Sequence, residues 1–532
     1  DNTLNYVNTW KKHSLVGLAG FSIEKYESDG LGASGSGFPD DQVLTNLNSA
    51  AKKNSISSSY SSNTLASFLS RLEYKFNNRY LLTLNFRADG SSQFGPDKRW
   101  GYFPSGAVAW IITEENFMKD YSNIVSYLKL RGSVGKTGSQ NLGAYDWRTL
   151  MGSATYNGAA GIVPSSLGND ILQWEEQIQK EVGLDYGFWD DRIRGTLGYY
   201  QKKVDNLLYS DPVPTSSSFS SVYQNIGSLK NRGIEFDVRV DIIKNAPKDL
   251  TWNVDFNIAR NRTTLEKLNS SDGYFGGGAY DYFKIEEGGE TGRFYGYKDA
   301  GRLFMTNEEL VGLKTIDPKT GTLKYYRDDY NYERQGDVYI MDLDGDGQIT
   351  ADGDRTVIGN ANPDFFGGFG STLYWKGLML NAVFSYSVGG DRFWDEEKNS
   401  SGDMNVYNTS NRILDSWTVN PGVNASYPRA MYYGWGSNSI ITDRYIHDAS
   451  YLRMTALNLS YRLPKHLYKN SILNAVEFTF QATNLFTWTK YPGMDPQGNF
   501  STTYSAFYNM GIDYSTYPSA RTYNFGIKLT LK

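Results

Sequence analysis

The run Ala66-Ser-Phe-Leu-Ser-Arg-Leu-Glu-Tyr-Lys-Phe76, a turn at Asn77-Asn78, and the return Tyr80-Leu-Leu-Thr-Leu-Asn-Phe-Arg-Ala-Asp89 decide the fold. In the first segment Phe68, Ser70, Leu72, Tyr74 and Phe76 share one face, and Ser67, Leu69, Arg71, Glu73 and Lys75 share the other. In the second, Tyr80, Leu82, Leu84, Phe86 and Ala88 oppose Thr83, Asn85, Arg87 and Asp89. Successive side chains of a strand point to opposite faces, so this is a β-hairpin with period-two alternation. Its strands run about ten residues or more, against the five or six of ordinary soluble sheets. A soluble sandwich would bury the apolar face in a core. A membrane barrel turns it to lipid and turns the charges to a wet lumen.

Repetition along the chain decides between the two. Asp1 to Trp10, with Leu4, Tyr6 and Asn8, reads as the tail of a strand, turned by Lys11-Lys12 into His13 to Tyr26. A polar Ser/Gly/Asn stretch, Glu27 to Asn63, is expected to be a loop before the hairpin, and strands over Trp100–Thr113 and Tyr127–Val134 follow it. After a long loop, Gly138–Leu172, two strands (Val182, Leu184, Tyr186; Ile193, Leu197, Tyr199) meet at Asp190-Asp191. Ile234 to Val240 pairs across Lys244 to Lys248 with Trp252 to Ile258, and Phe365–Trp375 pairs across Lys376-Gly377 with Leu378–Val388. Tyr451–Leu463, Ala475–Trp488 and Thr522–Leu531 complete a set of roughly fourteen to sixteen strands. Turns at Asn77, Asp190, Lys244 and Lys376 are tight, whereas Leu207–Tyr223, Tyr297–Asp364, Gly390–Ser450 and Lys490–Ala520 are long. Short turns on one side and long loops on the other mark an outer-membrane barrel. A propeller would repeat at about 40 residues, and no such period is seen. The last strand, with Tyr523, Phe525, Ile527, Leu529 and Leu531 on one face, would invite aggregation as a bare edge in a soluble protein.

Composition agrees. The chain has 532 residues with 41 Tyr and 54 Gly, yet only 39% hydrophobic residues, and no run approaches the ~18 apolar residues of a spanning helix. It has no cysteine, which removes disulfides, thiolate metal sites and Cys nucleophiles. A net charge of −5 gives no basic patch for nucleic acid. No signal peptide opens the chain, so a fragment whose beginning lies elsewhere is expected.

Several segments resemble the SusC/RagA family of TonB-dependent outer-membrane transporters. They are Arg87-Ala-Asp-Gly-Ser-Ser-Gln-Phe-Gly95, Trp100-Gly-Tyr-Phe-Pro-Ser105, Leu128-Lys-Leu-Arg-Gly-Ser-Val-Gly135 and Asn225-Ile-Gly-Ser-Leu-Lys-Asn-Arg-Gly-Ile-Glu-Phe236. Gly292-Arg-Phe-Tyr-Gly-Tyr297, Asp354-Arg-Thr-Val-Ile-Gly-Asn360 and Ala482-Thr-Asn-Leu-Phe486 continue the series in family order. The resemblance implies an all-β fold: a large antiparallel transmembrane β-barrel of about 22 strands, plugged by an N-terminal domain. It implies a SusD-like surface lipoprotein as lid, drive from TonB, and import of oligosaccharide or peptide too large for porins across a Gram-negative outer membrane. Residues 1–532 are then the C-terminal portion of the barrel, with the plug, the TonB-contacting segment and the first strands missing. The partners so implied are outer-membrane lipid, the lipoprotein, TonB through the missing part, and the remaining strands and plug.

One local motif stands out, Asp342-Leu-Asp344-Gly-Asp346-Gly347-Gln348-Ile349. Acids at positions 1, 3 and 5, Gly at 6 and an apolar residue at 8 match a Ca²⁺ loop, with the Gln348 carbonyl as a further ligand. The twelfth position, ordinarily a bidentate acid, is Gly353, so Asp354 is expected to close the site after a one-residue bulge. Similar Asp/Gly loops recur here in the family; the competing reading is a plain Asp-Gly turn. Loop aromatics Tyr274, Phe275, Tyr280, Tyr282, Phe283, Tyr432 and Trp435 offer flat faces to sugars or peptides, although packing within loops or against a lid is the more ordinary role. Tyr74, Tyr80 and Trp252 fit an interfacial girdle.

Gly30-Leu-Gly-Ala-Ser-Gly35 matches a dinucleotide fingerprint without the helix it needs. His13, His447 and His466 lack metal or triad spacing, which argues against the first alternative, an outer-membrane barrel enzyme. The second alternative is a soluble surface adhesion or structural β protein. No enzyme activity is expected, and lumen charges Arg71, Glu73, Lys75, Arg87 and Asp89 are expected to solvate a polar interior.

Overall fold

The structure, a computed structural model, describes residues 1–246, 249–268, 282–304, 315–316, 323–324, 335–347, 349–401, 409–417, 427–430, 438, 440–469, 472–498, 510–514 and 516–532. Fifteen strands form one antiparallel sheet in strict chain order. They are β1 (Asn2–Trp10), β2 (His13–Ser36), β3 (Lys52–Phe76), β4 (Tyr80–Ser91), β5 (Trp100–Ile111), β6 (Val125–Ser139), β7 (Glu175–Phe188) and β8 (Ile193–Asp205). The series continues with β9 (Ser228–Ala246), β10 (Leu250–Lys267), β11 (Phe365–Trp375), β12 (Leu378–Val388), β13 (Tyr451–Arg462), β14 (Leu473–Thr489) and β15 (Thr522–Leu531). Among the described residues β1 pairs only with β2, and β15 only with β14.

Register confirms the alternation. Phe76 faces Tyr80, Tyr74 faces Leu82, Leu72 faces Leu84 and Phe68 faces Ala88, so the apolar residues of both strands share one side. That side is open: Phe68 is 51% exposed, Leu84 45% and Phe525 81%, and Phe236 is half-buried. Opposite it, Ser67 and Asp89 are buried and Arg87 binds Asp89 at 2.7 Å. Further round the wall, Lys129, Arg131, Asp185 and Glu181 form a ladder of ion pairs on the same polar side. A sandwich would hide the apolar face under a second layer. Among the described residues nothing covers it: the α-helical content is the short Asp395–Ser401, and no helix is long and apolar enough to cross a membrane. The soluble-adhesion alternative falls on this point.

The connections alternate between the two ends of the sheet, and the shortest and the longest fall on opposite ends. At one end lie 11–12, 77–79, 112–124, 189–192, 247–249, 376–377 and 463–472; at the other, 37–51, 92–99, 140–174, 206–227, 268–364, 389–450 and 490–521. The tight end is built from left-handed residues, including Lys11, Asn77, Asn78, Asp190, Asp191, Asp249, Lys376 and Gly377. Two-residue hairpins with positive φ match the natural twist of paired strands. Exposed aromatics Trp10, Tyr80, Trp189, Trp252 and Trp375 ring this end as a girdle.

Three boundaries differ from the sequence reading. Glu27–Asn63 is not a loop: β2 and β3 stay paired out to Ser36 and Lys52. This outer half of the hairpin is exposed on both faces, so it needs no alternation, and its Ser and Gly residues hide a ladder held by backbone hydrogen bonds. The stretch Gly138–Leu172 contains a ribbon of its own, Leu150–Tyr156 paired with Ala159–Ser166. The strand expected to reach Thr113 ends at Ile111, where a 3-10 turn over Ile112–Glu114 begins.

Buried apolar clusters lie mainly where the long loops meet the rim. Phe94, Phe103, Leu142, Leu172 and Trp174 form one, and Ile226, Leu229, Leu265, Leu268 and Ile285 another. Two more belong to the loops that carry the candidate site.

Leu84→Arg, near the middle of the lipid-facing band, is expected to destabilise the barrel by ~2–4 kcal/mol in chemical unfolding from lipid vesicles. Thr83→Arg, one residue away and turned to water, should change it by less than ~1 kcal/mol. Equal losses for the two would contradict the assignment of faces.

Candidate functional site

The connection after β10 folds into short ribbons, Arg293–Tyr297 paired with Arg355–Asn360 and Asp299–Leu303 paired with Val338–Ile340. The acidic loop at 342–354 leaves the second ribbon and enters the first, so its two ends are fixed side by side. Ile340 and Ile349 are buried with Tyr297, Leu303, Phe304 and Val338 beneath it. The apolar residue at the eighth position thus anchors the loop to its core.

The loop closes on its own amides. Asp342 accepts from the Gly345 N–H at 2.7 Å and from the Gly347 N–H at 2.8 Å. Both glycines are left-handed, at φ 75° and 81°, a conformation that glycine reaches without a side-chain penalty. Asp344 accepts from the Asp346 N–H at 3.1 Å. Asp354, fully buried, takes the Leu343 N–H on one carboxylate oxygen and the Thr350 N–H on the other, each at 2.7 Å. Three carboxylates are thereby aimed inward: Asp342, Asp344 and Asp354 each offer an oxygen within 4.8 Å of the others. Oxygens sharing one Ca²⁺ at about 2.4 Å lie at most about 4.8 Å apart, so the three fit a common hard cation.

The twelfth position lies close against the cluster. A Cβ on Gly353 would lie 2.1 Å from a carboxylate oxygen of Asp344. A side chain at 353 would have to push that carboxylate aside, and the third acid that converges is Asp354. Asp346 does not converge with the other three; it is exposed. Gln348 lies outside the described residues. The Asp344 carboxyl is held above its ordinary range: the Asp346 amide draws it down, but desolvation and the neighbouring Asp346 and Asp354 carboxylates outweigh that. Clustered like charges of this kind favour either a proton or a cation.

Sequence reasoning missed what holds this loop in place. Asp337 is buried and receives a bidentate Arg429 at 3.1 and 3.0 Å and the Asn438 amide at 2.8 Å. Asn438 in turn accepts the Val338 N–H at 2.9 Å, and Arg444 pairs with Asp299 at 2.7 Å. These partners come from the connection between β12 and β13, far along the chain, and carry no local signal. A second cluster is equally unannounced: His447 meets Glu397 at 2.6 Å, Arg412 binds Glu397 at 2.7 Å, and Trp394 and Tyr491 pack edge-on to the imidazole. Burial, with a hydrogen bond to Asp513, pushes the Tyr491 hydroxyl far above its usual range, so it stays protonated.

The aromatic expectation is corrected where it can be read. Tyr282 does not face a channel mouth; it is 6% exposed, packs edge-on to Phe393 and donates to Asp395 at 2.6 Å. Phe283 is likewise buried, stacked on Phe294. Loop packing accounts for both, because large rings beside a rim gain more from mutual burial than from water. Tyr274, Phe275, Tyr280, Tyr432 and Trp435 lie outside the described residues. The Gly30–Gly35 segment is plain β2 strand.

Comparison with known proteins agrees with this architecture. The TonB dependent receptor-like, beta-barrel family profile matches residues 1–428. The TonB-dependent receptor P3 of Formosa agariphila is 32% identical over 99% of this chain and 52% of its own length. The TonB-dependent receptor SusC of Bacteroides thetaiotaomicron is 32% identical over 88% of this chain and 44% of its own. The RagAB peptide transporter superposes with a TM-score of 0.79 at 27% identity, covering 99% of this chain and 54% of that one. The chain therefore spans about half the length of the curated relatives it matches. It belongs to the TonB-dependent receptor-like β-barrel family of the Gram-negative outer membrane, in its SusC/RagA branch.

Proposed function

We propose that this barrel forms most of the wall of a TonB-dependent importer that admits a peptide or an oligosaccharide too large for porins. The observation that carries the reading is the two-sided wall: an exposed apolar face opposite a ladder of lumenal ion pairs, capped at one end by folded loops. In this reading a SusD-like lipoprotein closes over those loops, the cargo settles beneath it, and force from TonB opens the path. The likeness to SusC and to the RagAB peptide transporter supports both partners, and makes peptide the first cargo to try. The barrel itself does no covalent chemistry; its role is to select and conduct.

The acidic loop, in the same proposal, holds a structural Ca²⁺ through Asp342, Asp344 and Asp354. Its support is the convergence of three carboxylates on a loop pinned at both ends. Bound calcium would neutralise charges that now repel one another and stiffen the surface the lipoprotein meets.

Deleting the gene in its host should abolish growth on the cargo as sole source while leaving growth on its monomers unchanged. Affinity-purified receptor should bring the lipoprotein with it. Normal growth on both would sink the importer reading.

Calcium should raise the thermal midpoint of the purified receptor and chelation should reverse it, with Asp344→Asn weakening Ca²⁺ about tenfold or more. Because the Asp344 carboxyl is raised in the folded state, protons compete with the ion: the calcium effect should shrink as the pH falls into the carboxylate range, while the ion-free loop gains stability on acidification. An identical midpoint in calcium and in chelator at neutral pH would rule the site out.

A further inference from the structure

Paired residues of antiparallel strands share a face, so the outward surface of β6 to β10 can be read in transverse rows. One row is Leu130, Leu184, Leu197 and Phe236. The next, one pleat toward the long loops, is Gly132, Val182, Tyr199, Ile234 and Arg260. One pleat further stand Val134, Lys180, Gln201 and Arg232. The row beyond that contains Lys203 and Lys230, both paired with Glu266. The lipid face therefore turns from apolar to cationic within two pleats.

The cations differ in their partners. Lys203 and Lys230 are neutralised by Glu266 and Asp205. Lys180, Arg232 and Arg260 are exposed and have no ion pair or side-chain hydrogen bond among the described residues. Three free positive charges on a lipid-facing surface, at the upper border of the apolar band, lie at the level where lipid headgroups begin.

Beside Lys180 lies a trough. Gly106 and Gly132 make its floor, Leu84, Val108, Val134 and Val182 its walls, and Lys180 and Gln201 its upper rim; its volume is about 690 Å³. A second cleft of about 610 Å³ shares Leu82, Val108, Gly132 and Val182 with it and leads on to Tyr80 and Trp110 near the short turns. The two run together from Lys180 down the apolar band.

We propose that this face is a binding site for a phosphorylated glycolipid of the outer leaflet, with an acyl chain in the glycine-floored trough and phosphate against Lys180, Arg232 and Arg260. The charges select an anion and the continuous trough selects one that carries a hydrocarbon chain. A second copy of the barrel fits less well, since a two-fold contact would set this cationic patch against itself.

The test titrates the full-length receptor, purified in neutral detergent, with diphosphoryl lipid A, dephosphorylated lipid A and inorganic phosphate, read by native mass spectrometry. Diphosphoryl lipid A should bind in a defined stoichiometry and the dephosphorylated form about tenfold or more weakly. K180S/R232S should lose that preference. Gly132→Val, whose Cβ has its nearest neighbour 3.8 Å away at the Glu181 carbonyl, should fill the trough and weaken lipid A binding with the charges intact. Heat-modifiable migration on gels verifies that both variants fold. Equal binding of the two lipid forms, full displacement by inorganic phosphate, indifference to K180S/R232S, or a dimer closed through this face would each overturn the proposal.

Discussion

In hydrocarbon there is no water to satisfy a backbone amide, and that constraint organises everything else in this chain. Each strand must find partners on its neighbours, and chain-order antiparallel pairing is the simplest ladder that supplies them. The side chains then divide by parity. Even positions such as Leu82, Leu84 and Phe86 meet acyl chains, while Arg87 and Asp89 turn to the polar side and pair with each other. The left-handed turns at Asn77-Asn78 and Lys376-Gly377 serve the same end. They return the chain within two or three residues and leave few amides at the membrane surface.

The same constraint explains what could be read in advance. Wherever a strand has lipid on one side and water on the other, its period is written in the sequence, and β4, β11, β12 and β15 fall where the pattern put them. Where both sides are wet the pattern vanishes. The outer reaches of β2 and β3, rich in Ser and Gly, have no reason to alternate, and only pairing with each other identifies them as strand. The acidic loop was legible for a different reason. Its geometry is made by residues within a dozen positions, so spacing alone picked out Asp342, Asp344 and Asp354, which converge, along with Asp346, which does not. The Asp337–Arg429–Asn438 lock and the burial of Tyr282 depend on segments roughly a hundred residues apart, and no local pattern encodes them.

The wall and the loops rest on different physics. The wall is stabilised by its ladder and its lipid, and its inner side is polar. The loops bury Phe294, Phe304, Phe393 and Tyr445 completely or nearly so, as a small soluble domain would. Buried ion pairs at Asp337–Arg429 and Arg453–Asp495 accompany that core. Such pairs add less stability than their geometry suggests, because both charges lose water, but removing one partner strands the other. They specify one arrangement of loops rather than simply strengthening it.

That division places the candidate metal loop on the rigid side of the molecule. A carboxylate cluster on a floppy hairpin would spread apart and remain three separate charges. Here Ile340 and Ile349 are held in the core and Asp354 is saturated by two amides. The backbone that carries the acids is thus held by that packing, which keeps Asp354 and Asp342 beside Asp344. Desolvation and the neighbouring carboxylates hold the Asp344 carboxyl above its usual range, and the oxygen spacing is the one a hard divalent cation would require.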